Sequence, residues 1–295
     1  MPQRKVQIIG VPMDLGQDQR GVDLGPGALR YAGLSGALRR LGHHVVDAGN
    51  LPAPVRDSLD PADPRCYLTA IAQVCNALYR ACLQAHADGA VPVALGGDHS
   101  IAAGTVAATI EHRPAGLLWI DAHGDFNTPQ TSPSGNVHGM PLAALMGDGP
   151  PEMTGIGSRR ISPEDVVLLG IRDLDPAEKE RLRASGIRVL TMRDIDERGM
   201  GTVMSEALEH LAAHDRIHVS LDVDAIDPRE APGVGTPVPG GLSYREAQLV
   251  MEMLADTGKL AALDIVEINP ILDERNRTAR LAVSLAASAF GQRIL

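Results

Sequence analysis

Aromatic residues are scarce in this 295-residue chain, where Phe, Trp and Tyr together make up 2% of the residues. The core must therefore be built mostly from Ala, Val, Leu and Ile. Long apolar runs are also missing, and no uncharged stretch approaches the roughly 20 residues that a transmembrane helix needs. The first residues, Met1–Pro12, lack the longer apolar stretch and the small-residue cleavage site of a signal peptide. These absences lead us to expect a cytoplasmic protein.

Basic residues do not outnumber acidic ones. The chain has 27 Lys and Arg against 37 Asp and Glu, and its formal net charge at pH 7 is −10. Binding to nucleic acid or to an acidic membrane surface requires an excess of cations, so we expect neither partner. A small cationic substrate suits this charge balance better.

Cysteine is scarce as well, with three residues and no close Cys-x-x-Cys pair. Cys75 and Cys82 share a spacing of three and four residues with Leu68, Ile71 and Leu78, which is typical of the buried face of a helix. We therefore interpret both thiols as core residues rather than as metal ligands or disulfide partners.

Short apolar runs alternate with longer helical patterns along the whole chain. Several of these runs are almost continuously apolar, as expected for strands of a parallel sheet that is covered on both faces. The alternation predicts βαβ units, a three-layer α/β/α architecture and one domain over residues 1–295. The predicted strands are Val6–Ile9, His44–Asp47, Val91–Leu95, Gly116–Ile120, Val166–Gly170, Arg188–Leu190, Ile217–Leu221 and Ala261–Val266. The predicted helices include Pro26–Leu41, Leu68–Ala87, Gly201–Ala213, Ser243–Ala255 and Thr278–Ala289.

Four polar segments rich in Gly and Pro follow directly after predicted strands. In open parallel sheets, ligands bind outside the carboxyl ends of the strands. We therefore expect these segments to converge on one edge of the sheet. They are Gly96–Ser100, Asp121–Met140, Asp222–Gly241 and Glu267–Arg277.

Histidine and aspartate residues are concentrated in three of these segments. Because alternate residues of an extended chain face the same side, Asp121, His123 and Asp125 can point together, as can Asp222 and Asp224. Two imidazoles and four carboxylates are enough for two metal ions that share bridging carboxylates. Without a nearby thiolate, this set favours manganese over structural zinc. The six predicted ligands are His99, Asp121, His123, Asp125, Asp222 and Asp224.

These positions also have ordinary structural interpretations. His99 follows a Gly-Gly turn where a helix could begin, and Asp222 and Asp224 could accept backbone hydrogen bonds in a loop. The Asp121–Asp125 cluster is harder to explain in this way, because charged residues directly after an apolar strand have no packing use. Four carboxylates at strand ends would also repel one another, and the three segments contain no Lys or Arg before Arg229. Two divalent cations would supply the missing charge.

The same three segments carry a resemblance to a known family. Gly96–Ser100, Asp121–Asp125 and Ser220–Pro228 resemble the metal signatures of the ureohydrolases, and within them those of bacterial-type arginases. The resemblance extends from Gly10–Gly16 to Asn269–Asp273, nearly the whole chain, with the motifs in the family's order. It implies the arginase/deacetylase fold, in which helices flank an eight-stranded parallel sheet.

The resemblance also implies how the ligands are shared between two Mn²⁺ ions. Gly124, inside the second signature, is smaller than the residue expected there, but it is not a ligand position. One ion would be bound by His99 and Asp125 and the other by His123 and Asp224, with Asp121 and Asp222 bridging the two.

An amino acid substrate is implied by two further segments. The loop 127–141 is similar to the arginase loop that binds the α-carboxylate of the substrate, a loop that usually differs in agmatinases. Segment 172–178 resembles the one whose two acids contact the α-ammonium. From composition alone, the first is a Ser/Thr/Pro surface loop and the second a common helix start. The implied contacts are Asn127, Ser134 and Asn136 for the carboxylate, Asp175 and Glu178 for the ammonium, and Thr236 in the guanidinium pocket.

The implied activity is hydrolysis of L-arginine to L-ornithine and urea. Two manganese ions would lower the pKa of a water molecule, and the resulting hydroxide would attack the guanidinium carbon. Glu267 would pair with the guanidinium, Asp125 would pass a proton to the departing amine, and His138 would carry protons to solvent. Without the resemblance, Glu267 and His138 could equally be solvated loop residues.

Other functions remain open at the level of sequence. A ureohydrolase of the agmatinase or guanidinobutyrase type would use the same metal centre on a different substrate. A binuclear phosphoesterase would need Lys or Arg beside the metals, and a metal-stabilised scaffold would keep the ligands without activity. The resemblance to bacterial-type arginases further implies a homo-oligomer, either a trimer or a hexamer.

Overall fold

The centre of the fold is a parallel sheet of eight strands, seen in a computed structural model that describes residues 3–60 and 66–293. Its strand order is β2-β1-β3-β8-β7-β4-β5-β6, and every pairing between neighbours is parallel. The predicted eight-stranded α/β fold is therefore confirmed. The strands are β1 Lys5–Val11, β2 His44–Asn50, β3 Ala90–Gly96, β4 Gly116–Ile120, β5 Val166–Ile171, β6 Arg188–Thr191, β7 Ile217–Asp222 and β8 Leu260–Val266.

The inner strands are almost entirely buried, which explains why the sequence predicted them so well. Each residue of β4, β5, β7 and β8 is buried. A strand covered on both faces reads as a continuous apolar run, with no polar alternation. All eight predicted strands coincide with observed ones, and their ends differ by no more than a few residues.

Helices cover both faces of the sheet. One core cluster contains side chains of the helices within residues 25–40 and 192–289, and a second contains side chains of the helices within residues 66–185, including the buried free thiols Cys75 and Cys82. Successive residues of one strand enter opposite clusters, as Leu118 and Trp119 of β4 do. Among the described residues the α-helices are α1 Gly25–Tyr31, α2 Leu34–Arg40, α3 Cys66–Ala87, α4 Ala102–His112, α5 Pro141–Leu145, α6 Pro151–Thr154, α7 Pro176–Ser185, α8 Met192–Arg198, α9 Met200–His210, α10 Tyr244–Thr257 and α11 Arg277–Ala289.

The predicted helix Pro26–Leu41 is wrong as a single element. The structure divides it into α1 and α2, because Gly33 between them has a φ of 90°. This left-handed conformation is open to glycine at little cost and interrupts helical hydrogen bonding. By contrast, α10 begins where its sequence predicts, with a reciprocal capping box between Ser243 and Glu246.

Candidate active site

The carboxyl ends of β3, β8, β7 and β4 lie side by side in the sheet, so the four polar segments that follow them converge as predicted. Gly97, just after β3, allows the chain to approach its neighbour closely. A Cβ atom at this position would lie 1.7 Å from the carbonyl oxygen of Met13. Only glycine fits there, and the turn places the next residues at the centre of the edge.

Three aspartate oxygens surround one nitrogen atom of His99. Its Nδ1 lies 3.1 Å from Oδ2 of Asp121, 3.0 Å from Oδ2 of Asp125 and 3.1 Å from Oδ2 of Asp222. All four side chains are buried. His99 Nδ1 and Asp125 Oδ2 have no hydrogen-bond partner among the described residues. Buried polar atoms without partners are costly, so atoms gathered around a common point in this way indicate a site for a cation.

A second group of ligand atoms adjoins the first. His123 Nδ1 lies 3.4 Å from Oδ1 of Asp121 and 3.1 Å from Oδ2 of Asp224. The ligand atoms of His99, Asp121 and Asp125 lie within 4.8 Å of one another, and so do those of Asp121, His123 and Asp224. Asp121 thus belongs to both groups and turns one carboxylate oxygen toward each histidine.

The buried carboxylates at this edge of the sheet repel one another strongly. Burial raises the pKa of Asp222 well above its usual value, and the charges of Asp224 and Asp121 raise it further. Burial and the charge of Asp121 likewise raise the pKa of Asp125. Arg172 lies close by, but its guanidinium donates to backbone carbonyls, including that of Asp224 at 2.7 Å. Carboxylate and imidazole donors without a thiolate fit manganese, and two divalent ions would relieve the repulsion.

The ring of His99 is held from two sides by residues that sequence reasoning missed. Trp119, the single tryptophan of the chain, stacks on it with ring centres 4.1 Å apart. The indole Nε1 of Trp119 also donates to Oδ2 of Asp121 at 2.9 Å. On the far side, Nε2 of His99 lies 2.8 Å from the hydroxyl of Ser220. Such contacts fix the ring so that Nδ1 faces the aspartates.

A chain of buried hydrogen bonds continues behind Ser220. The Oδ2 atom of Asp264 accepts from Ser220 Oγ at 3.3 Å and from Thr105 Oγ1 at 2.6 Å, and it lies 2.9 Å from Nε2 of His218. His218 Nδ1 in turn lies 2.8 Å from the hydroxyl of Thr109. The signal for this chain was present in the sequence, because His218, Ser220 and Asp264 are polar residues inside otherwise apolar strands.

Glu267 is completely buried, so its interpretation as a solvated loop residue is wrong. Its φ of 65° is unusual for a residue other than glycine, and strained backbone of this kind is concentrated at functional sites. Oε1 of Glu267 accepts the backbone N–H of His99 at 2.8 Å and lies 2.9 Å from Nδ1 of His138, and Oε2 accepts from Gln17 at 2.5 Å. Burial by itself lowers the pKa of His138, but the charge and hydrogen bond of Glu267 outweigh it and raise this pKa to about 9.

A cavity of about 260 Å³ opens in front of the two ligand groups. His99, Asp121 and Glu267 each contact a lining residue, and the other predicted site residues line the cavity. Among the described residues, no Lys or Arg lines it and six carboxylates do, so the cavity favours a cationic occupant. Its lining residues are His123, Asp125, Asn127, Ser132, Ser134, Asn136, His138, Gly139, Asp173, Asp175, Glu178, Asp222, Asp224 and Thr236.

The start of α7 forms one wall of the cavity and carries the predicted ammonium contacts. Asp175 occupies the N-cap position of α7, but its side chain makes no capping hydrogen bond and instead accepts from Asn127 Nδ2 at 3.0 Å. Glu178 is buried in the first turn of α7 and accepts the backbone N–H of Phe126 at 2.9 Å. Burial raises the pKa of Glu178 to about 7, although the Phe126 hydrogen bond opposes this shift.

Gly124 and Thr236 each lie beside a carboxylate of the site. A Cβ atom on Gly124 would lie 2.7 Å from Oε1 of Glu178, so the missing side chain makes room for that carboxylate. Thr236 Oγ1 donates to Oδ2 of Asp224 at 2.9 Å, beside the second ligand group. Ser132 and Asp173 line the cavity without having been predicted, since nothing separates them from other polar loop residues in the sequence.

Known proteins resemble this chain over nearly its whole length. The model of the family described as "Arginase family" matches residues 4–291. The arginase of Bacillus caldovelox is 50% identical over 298 residues, which cover 99% of this chain and 100% of that protein. The chain belongs to the arginase family.

Solved structures of arginases share the whole fold. A structure of the arginase of Bacillus caldovelox matches with a TM-score of 0.96 at 50% identity and covers 99% of this chain and 100% of that one. The arginase of Entamoeba histolytica in complex with L-ornithine matches with a TM-score of 0.92 at 33% identity, over 99% and 100% of the two chains. The present chain is accordingly a hydrolase of the arginase family. Within its described residues, none of the helices has the length and apolar character needed to cross a membrane.

Proposed function

We propose that this arginase-family chain converts L-arginine and water to L-ornithine and urea at a centre of two Mn²⁺ ions. The observation that carries the proposal is the position of Asp121, whose two carboxylate oxygens face two different histidines beside an anionic cavity. A carboxylate shared in this way suits a pair of metals, and the cavity suits a cationic guanidino substrate.

Each ion would be held by an imidazole and by carboxylates. Bound together, the two ions would lower the pKa of a water molecule enough to make hydroxide available near neutral pH. The residues of the first site would be His99 and Asp125, those of the second His123 and Asp224, with Asp121 and Asp222 shared.

The substrate would lie with its amino acid end toward α7 and its guanidinium toward the metal ligands. Glu178 and Asp175 would accept hydrogen bonds from the α-ammonium, which the negative charge of this wall favours. The loop residues Asn127, Ser134 and Asn136 would contact the α-carboxylate as neutral donors. Thr236, which donates a hydrogen bond to Asp224, would line the pocket that holds the guanidinium group.

Proton movements would fall to residues beside the reacting carbon. Asp125, whose Oδ2 atom has no hydrogen-bond partner in the described part of the chain, would pass a proton toward the departing amine. His138 lines the cavity and would exchange protons with solvent. Glu267 would set the orientation of His138 through their hydrogen bond, in addition to its predicted pairing with the guanidinium.

We further propose that the chain is cytoplasmic and assembles into a homo-oligomer. Leu24 and Tyr31 line one surface cleft together with Pro270, and Tyr31 is 86% and Ile271 69% exposed. Exposed apolar clusters of this kind mark contact surfaces. A trimer or a hexamer would bury them.

Metal analysis combined with a urea assay tests the proposal. The purified protein should hold two manganese ions per chain and release urea from L-arginine far faster than from agmatine, which lacks the α-carboxylate. An Asp121→Asn variant should lose both manganese and urea release, because the shared ligand serves both ions. Preference for agmatine would replace the substrate assignment, and full manganese loading without urea release would refute the enzymatic function.

A further inference from the structure

A second cavity opens at the opposite edge of the sheet, where the strands begin. It has a volume of about 590 Å³ and lies between the amino ends of β1, β3 and β8 and the carboxyl ends of α3 and α4. Neither the proposed reaction nor any predicted site residue uses it. Its charged and titratable lining residues are Arg4, Lys5, His86, His112, Arg113, Asp215, Arg216 and Lys259.

The lining of this amino-edge cavity is strongly basic although the chain as a whole is acidic. Five Lys and Arg side chains face one carboxylate there, whereas the complete chain carries a net charge of −10. None of the five forms an ion pair with a residue that the structure describes. Elsewhere in the described chain, arginines such as Arg30 and Arg181 do pair with aspartates.

Three of the five cations are held in place by groups that do not neutralise them. Arg4 Nη1 donates to the carbonyl of Leu260 at 2.6 Å, and Lys259 Nζ donates to the carbonyl of Ala212 at 3.2 Å. Arg216 Nη2 lies 3.2 Å from Nδ1 of His86, while its Nε atom is buried without a hydrogen-bond partner among the described residues. A buried guanidinium N–H that donates to no described residue is free to donate to an oxygen of a bound anion.

Repulsion among these groups is visible in their pKa values. Burial lowers the pKa of Arg216, and the charge of Arg113 lowers it further. Burial also lowers the pKa of His112, followed by the charges of Arg216 and Arg113. A bound anion would remove this repulsion and would be bound more tightly for that reason.

Helix dipoles account for only some of the basic residues that line the amino-edge cavity. His86, His112 and Arg113 lie at the carboxyl ends of α3 and α4, where cations are commonly found. Lys5 and Arg216 belong to no helix end. The strand starts have almost no dipole to attract them, so a different reason is needed for their presence.

We propose that the amino-edge cavity binds a small oxyanion with two or more negative charges, carried by phosphate or carboxylate groups. Guanidinium and ammonium donors on several sides recognise such oxygens through charge-assisted hydrogen bonds. The cavity is wide enough for a compact anion and lies away from the carboxyl edge, so occupancy there does not compete with the substrate.

Isothermal titration of the manganese-loaded protein with inorganic phosphate, and separately with succinate, tests this proposal and separates the two ligand types. We expect saturable binding of at least one of them, with one anion per chain. The double variant Lys5→Gln/Arg113→Gln should bind it at least tenfold more weakly, a loss of about 1.4 kcal/mol or more. Both replaced side chains are exposed, so the fold should tolerate their loss.

Two further variants make the result decisive. Arg40→Gln/Arg80→Gln changes the net charge equally, at exposed helix positions outside the cavity, and should bind the anion within twofold of the unmodified chain. Arg216→Gln, which removes the unpaired N–H, should weaken binding as the first double variant does. The proposal is overturned if neither anion binds, or if binding is unchanged when Lys5 and Arg113 are replaced.

Discussion

His138 and Glu267 are 129 residues apart in the sequence, yet Nδ1 of the histidine lies 2.9 Å from Oε1 of the glutamate. The same oxygen accepts the backbone N–H of His99, so one buried carboxylate connects the proposed proton carrier with a proposed metal ligand. The position of the imidazole at the cavity wall is therefore fixed by the ligand framework.

Replacing His138 by Asn should lower turnover by about 100-fold or more, the usual contribution of a positioned acid or base. Manganese content should be unchanged, because His138 is outside both ligand groups. Steady-state urea release and metal analysis measure the two effects. His44→Asn, at an exposed position at the start of β2, serves as the control and should leave both unchanged. Loss of manganese from the His138→Asn protein would contradict a role in proton transfer alone.

Binding of L-ornithine should weaken as the pH falls through about 7. The buried carboxyl group of Glu178 has its pKa raised to about that value, so it is ionised above pH 7 and protonated below it. Only the ionised form attracts the α-ammonium, and the dissociation constant should rise about tenfold from pH 8 to pH 6. Titration calorimetry at several pH values measures it. A Glu178→Gln variant should bind L-ornithine weakly at every pH. If its dissociation constant still depends on pH in the same way, a group other than Glu178 is responsible for the effect.

A methyl group at position 124 should disturb substrate binding more than catalysis. In Gly124→Ala the new Cβ would lie 2.7 Å from Glu178 Oε1 and 2.9 Å from side-chain carbons of Leu174 and Leu182. The carboxylate must then move, so KM for arginine should rise severalfold while kcat and manganese content change little. Gly27→Ala, where a Cβ meets no atom of the described residues within 4 Å, is the matched control. Equal kinetics in the two variants would show that Glu178 does not contact the substrate.

The hydrogen bonds behind His99 should contribute to both stability and metal affinity. Oδ2 of Asp264 is within hydrogen-bond distance of the side chains of Thr105, His218 and Ser220. The Asp264→Asn variant replaces this carboxylate by a neutral amide. The free energy of unfolding should fall by about 1–3 kcal/mol, the cost of leaving a buried partner unsatisfied. Manganese affinity should fall about 10- to 100-fold through the altered Ser220–His99 contact.

Urea denaturation and a manganese titration measure these two effects separately. Asp256→Asn, which removes an exposed carboxylate paired with Arg293, should change stability by less than about 0.5 kcal/mol. If Asp264→Asn retains full manganese affinity, the hydrogen-bond chain stabilises the fold without positioning His99.

Local sequence signals were sufficient for the sheet and for the ligand segments. The buried strands β4 and β5 are continuous apolar runs, and the Asp121–Asp125 cluster follows β4 directly, which placed its side chains at the carboxyl edge. The sequence did not reveal the break between α1 and α2 at Gly33, because the helical pattern continues on both sides of this residue. It also left Trp119 unassigned, since an aromatic residue in an apolar strand is usually only part of the core.

The sequence by itself determined the strand–helix order, the acidic edge and the membership of a metal-binding family. Each depends on short-range periodicity or on motifs of a few residues. Only the tertiary structure decided which oxygen of Asp121 faces which histidine, that Glu267 is buried against His138, and that uncompensated cations meet at the amino edge. These relationships join residues from distant parts of the chain, and their distances follow from how strands pair and helices pack, which no local pattern records.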